Sequence, residues 1–94
     1  MKKINVQKKW YAESVRGYCV RYGRYTCGNN NDYEKMLNFV KTHKPTTNNI
    51  YKVACNIADH SNLNSYGQTR TENIQSIMYD ITKDCIHTFY EIQE

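Results

Sequence analysis

Long apolar runs are missing from this 94-residue chain. No stretch approaches the roughly 20 apolar residues that span a bilayer as a helix. The opening segment, Met1 to Trp10, also lacks the apolar centre of a signal peptide. From these absences the expectation is a soluble, cytoplasmic protein without a membrane partner. Hydrophobic residues are scarce, at 39% of the chain, which limits it to one domain with a modest core. Internal repeats and heptad arrays are lacking, so solenoids and coiled coils are excluded. No catalytic or cofactor motif stands out, and the chain is expected to be non-enzymatic and cofactor-free.

Cysteine is present four times, but in no pattern that makes a metal site. Cys55 and His60 are five apart and Cys85 and His87 two apart, neither of which is a zinc spacing. On a helix, Cys55 and His60 would point about 140° away from each other. In a reducing compartment Cys19, Cys27, Cys55 and Cys85 are expected as free thiols, with Cys19 and Cys27 able to bridge across a hairpin if oxidised.

What the chain does have is tyrosine and an uneven distribution of charge. Tyrosine supplies nine of twelve aromatic residues, so burial must rely on side chains that also need hydrogen-bond partners. Residues 1–27 hold seven Lys or Arg against one acid, Glu13, whereas residues 28–94 hold six basic against eight acidic residues. Such an asymmetry predicts a basic footprint on the N-terminal segment.

Periodicity predicts an α+β fold in one domain, residues 1–94. Tyr18, Val20 and Tyr22 alternate with Cys19 and Arg21, and glycines follow at turn positions, which predicts an antiparallel β-meander over about residues 4–27. The period then becomes helical. Asp32 is placed to cap a helix over 32–43, with Tyr33, Met36, Leu37 and Val40 as its apolar stripe and Pro45 stopping it. Thr46 or Thr47 can cap a helix over 47–59 with the stripe Ile50, Val53, Ala54 and Ile57. A polar loop, His60 to Gln68, leads to Thr69-Arg-Thr-Glu72, a capping box for a third helix over 70–87. Its stripe is Ile74, Ile77, Met78, Ile81 and Cys85. Residues 86–92 are also rich in β-formers, so a strand joining the N-terminal sheet competes there with continued helix.

Function classes follow from the same residues. Arg16-Gly-Tyr-Cys-Val-Arg-Tyr22 resembles the RNP1 signature of the RRM family, which implies base stacking on a sheet. That fold needs a β-α-β segment ahead of RNP1, and the fifteen residues available cannot hold one. A helix-turn-helix is disfavoured because the exposed positions of the helices carry Asp59, Glu72, Asp80 and Asp84, which repel phosphates. His43, His60 and His87 could in principle serve a metal-free ribonuclease.

The preferred expectation is a binding surface made of Lys8, Lys9, Trp10, Tyr11, Arg16, Arg21, Arg24 and Tyr25, the residue types that dominate interface hot spots. The overall profile is similar to small phage or mobile-element inhibitors, anti-CRISPR-like or anti-restriction-like. That resemblance implies a partner that is a host nucleic-acid-processing protein or nucleoprotein complex. Direct binding of DNA or RNA with little sequence preference is the alternative, by a monomer or a homodimer.

Overall fold

The computed structural model describes residues 3–21, 30–59 and 69–93. Strand β1 (Lys3–Trp10) leads into helices α1 (Ala12–Arg21), α2 (Asn30–Thr42), α3 (Thr47–Asp59) and α4 (Arg70–Asp84), and strand β2 (Ile86–Gln93) follows. The strands pair antiparallel, from Lys3 opposite Gln93 to Trp10 opposite Ile86. The class is α+β, and among the described residues the sheet is a two-stranded ribbon with four helices inserted between its strands.

The predicted meander is corrected beyond Trp10, where α1 replaces its second strand. Val15, Tyr18 and Cys19 recur at i, i+3 and i+4, and all three are buried. That helical stripe outweighs the alternation around Tyr18, because it lets one face of the segment pack on α2 and α4. Ala12 and Glu13 also suit a first helical turn, and the Val15 N–H donates to the Tyr11 carbonyl at 3.1 Å. Gly17 lies on the exposed side of α1, with nothing within 4 Å of the position a Cβ would take. Gly17→Ala should therefore stabilise the protein by about 0.5–1 kcal/mol in urea unfolding, through lower chain entropy in the unfolded state.

The other helices follow their predicted stripes. Met36, Leu37 and Val40 of α2, Ile50, Val53, Ala54 and Ile57 of α3, and Ile74, Ile77 and Ile81 of α4 are buried in one cluster. Helix α2 begins at Asn30, so Asp32 lies inside it and not at its cap. The Thr46 hydroxyl accepts the Asn49 N–H at 3.2 Å and caps α3. The capping box of α4 is complete, with the Thr69 hydroxyl accepting from the Glu72 N–H and the Glu72 carboxylate accepting from the Thr69 N–H. Arg70 then grips Asp59 with two hydrogen bonds, at 2.8 and 3.2 Å, fastening the start of α4 to the end of α3.

Helix α4 stops at Asp84 and not at residue 87, because Cys85 closes it by donating its N–H to the Ile81 carbonyl at 2.9 Å. The β-formers that follow make β2. The Tyr11 N–H donates to the Cys85 carbonyl at 3.2 Å, continuing the ribbon ladder into the helical body.

Cys19 and Cys85 are buried in this core, and Cys55 is half-buried. Burial, reinforced by the neighbouring Cys85, pushes the Cys19 thiol up to about 12, so it stays neutral and unreactive. The suggested bridge from Cys19 would start from a buried helical position, and Cys27 lies outside the described residues, as do His60 and the predicted loop after it. Among the described residues no helix is long and apolar enough to cross a membrane.

Candidate functional site

Trp10 decides where the ribbon meets the helices. It is 3% exposed, and its indole N–H donates to the carbonyls of Val40 and His43, the latter at 2.8 Å. Both carbonyls lie at the C-terminal end of α2, where helical acceptors lack intrahelical partners. A buried indole also needs an acceptor. Each requirement meets the other, and the base of β1 is bolted to the α2–α3 corner. Trp10 is therefore removed from the expected docking surface, because packing against the helices buries more of its ring than exposure on a ribbon would.

Beyond Trp10 the ribbon leaves the core. Among the described side chains only its inner pair, Trp10 and Ile86, packs on the helices, while Val6 to Lys9 and His87 and Thr88 are exposed. The angle between β1 and the α2–α3 corner encloses a cleft of about 500 Å³. Four lysines line it: Lys8 and Lys9 from β1, and Lys41 and Lys44 from the end of α2 and the corner. No carboxylate is among the described residues that line it. A second hollow, about 370 Å³, shares Lys8 and Pro45 with the first and adds the hydroxyl-bearing Thr47, Thr82 and Thr88. Lysines line the first hollow and Lys8 joins it to the second, and ammonium groups are donors that phosphate oxygens accept from.

One wall of the cleft is aromatic. His43 is exposed, and its imidazole stacks on Phe39 with ring centroids 3.9 Å apart and 17° between the planes. The Phe39 ring in turn lies 6.4 Å from that of Trp10, so the three rings step from the core to the surface. His43 Nδ1 lies 3.0 Å from the Phe39 carbonyl and 2.9 Å from the Thr42 hydroxyl. The Lys52 ammonium sits 5.9 Å from the Phe39 centroid, a further cation beside the same stack.

The sequence-predicted residues separate into groups. Lys8 and Lys9 are in the cleft. Tyr11 is 39% exposed and meets His87 edge-on, with centroids 4.8 Å apart. Arg16 stands exposed on α1 and lines neither hollow. Arg21 ends α1, while Arg24 and Tyr25 lie outside the described residues. Lys41 and Lys44 come from the part of the chain with net negative charge, so charge counting passed over them. Their signal was local: one lies in the last turn of α2 and the other precedes Pro45. Their nearness to β1 follows from the Trp10 anchor, which no local pattern encodes. No protein family, curated protein or solved structure matches the chain, so the geometry of this cleft carries the functional reading.

Proposed function

We propose that the chain is a non-enzymatic binding protein that engages nucleic acid, free or held in a host nucleic-acid-processing complex, and acts by occupying it. The observation that carries this reading is the lysine cleft, where four lysines from two separate parts of the chain line one concave surface with no acid among its described lining residues. Like charges lining one concave surface repel, and a polyanion that displaces its own counterions relieves the repulsion. A protein seated on the nucleic acid of a nucleoprotein also blocks it sterically, which accommodates an inhibitory role.

A carboxylate-lined channel on a partner protein would offer similar charge. Tight protein interfaces, however, concentrate their energy in desolvated aromatic anchors, and the tryptophan that would serve is committed to the core. Exposed Lys8, Lys41 and Lys44 line the cleft, which favours the nucleic acid.

The test is a salt titration of binding to labelled DNA and RNA oligonucleotides. Each lysine that neutralises a phosphate steepens the fall of log affinity with log salt, by about 0.7 on single strands and about 0.9 on duplex DNA. Four contacts give a slope between about −2.8 and −3.6. Absence of binding at low salt to every oligonucleotide would reject the reading and leave a protein target.

A further inference from the structure

We infer that the cleft takes a single nucleic-acid strand, with the backbone on the lysines and one base stacked on the imidazole of His43. This rests on the nucleic-acid reading above and specifies the form of the target.

Two observations favour a strand over a duplex. First, the cations stand in the re-entrant angle between ribbon and helices, where a flexible strand can enter and the convex backbone of a duplex meets only the rim. A two-stranded ribbon does fit the major groove of DNA. In that pose its outer half would make the contacts. That half, Lys3 to Val6 opposite Tyr90 to Gln93, holds one lysine and one glutamate in its sequence, a poor set for a phosphate-lined groove.

Second, the cleft combines its charges with a presented ring. Phe39 covers one face of the His43 imidazole, and the residue is nonetheless exposed, so the opposite face is the one on offer. The ring is also held in place: Nδ1 contacts the Phe39 carbonyl at 3.0 Å and the Thr42 hydroxyl at 2.9 Å. A fixed ring loses little freedom when a base stacks on it. Bases in a duplex have both faces occupied, whereas an unpaired base can make this contact. Cations along a groove with an aromatic platform beside them are the two parts of sequence-tolerant single-strand recognition.

The experiment measures fluorescence anisotropy of a labelled oligothymidylate and of a duplex of equal length, each over the same series of salt concentrations, with the full chain and its His43 variants. The strand should bind at least tenfold tighter than the duplex. His43→Ala should weaken strand binding roughly tenfold, the loss of one stacked base, and leave both the salt slope and duplex binding unchanged. His43→Phe should restore most of the affinity, which a residue acting only through its hydrogen bonds would not allow. Duplex binding equal to or tighter than strand binding overturns the inference and leaves the nucleic-acid reading standing. Wild-type affinity in His43→Ala, or no recovery in His43→Phe, also overturns it. Binding to neither oligonucleotide removes both.

Discussion

Trp10→Ala lowers the thermal midpoint by roughly 15–30 °C, the shift expected when a small domain loses about 3–5 kcal/mol. The residue is 3% exposed, so truncation opens a cavity where β1, α2 and the rest of the core meet. It also strips the Val40 and His43 carbonyls of their shared donor at the end of α2. Total stability of a domain this size is about 5–15 kcal/mol, so a large fraction of it is at stake. Trp10→Phe separates the two contributions. It keeps most of the ring, loses the donor, and should cost about 1–3 kcal/mol. Circular dichroism during heating and urea unfolding reads both variants. A tryptophan standing on a ribbon as an exposed anchor predicts a different outcome, a change within about 0.5 kcal/mol. The same substitution should raise amide exchange along Lys3–Trp10, because a two-stranded ribbon is marginal without a packed base.

How far the chain could be read without its structure depended on whether the governing interaction was local. The stripes of α2, α3 and α4 and the capping box at Thr69 and Glu72 are short-range, and the observed helices follow them. Pro45 ended a helix for the same reason. The segment after Trp10 offered two periods at once, with Tyr18 and Val20 fitting a strand and Val15, Tyr18 and Cys19 fitting a helix. Packing of α1 against α2 and α4 settled the competition, including a hydrogen bond from the Tyr18 hydroxyl to Asp80 at 3.3 Å. The pairing of β1 with β2 joins residues at least 76 apart in sequence. The β-formers after Cys85 showed that a strand was available there without showing that it would be the first strand's principal partner.

The candidate site was legible only in part. Lys8 and Lys9 stood out through the basic N-terminal segment. The other half of the cleft depended on Trp10, and a lone tryptophan between lysines reads equally as a surface anchor or as the inner end of a strand. Its environment decided the matter, since the unpaired carbonyls at the end of α2 supply the acceptor that an exposed indole would have taken from water. Once Trp10 is fixed, Lys41, His43 and Lys44 come to lie across the cleft from Lys8 and Lys9. An anchor residue read as a contact residue thus misplaces the whole surface around it.

Reversing charge on both walls of the cleft separates that surface from the one the N-terminal composition implied. Lys8→Glu combined with Lys44→Glu should reduce oligonucleotide affinity by on the order of a hundredfold or more, because two favourable phosphate contacts become repulsive. Both side chains are exposed, so the thermal midpoint should move little. Alanine at the same two positions removes charge without reversing it and should flatten the salt slope on single strands by about 1.4. Arg16→Glu provides the comparison: it alters net charge by as much per site, but from a position on α1 outside the cleft lining. Long-range attraction falls off over about 8 Å at physiological salt, so this change should cost only a few-fold in affinity. If Arg16→Glu instead costs half or more of the double reversal's loss in log affinity, net charge governs binding and the cleft has no special part in it. If the double reversal binds like wild type, phosphate contacts lie elsewhere on the chain. The ordering of these three variants, more than any single affinity, tests whether concave geometry concentrates the charge.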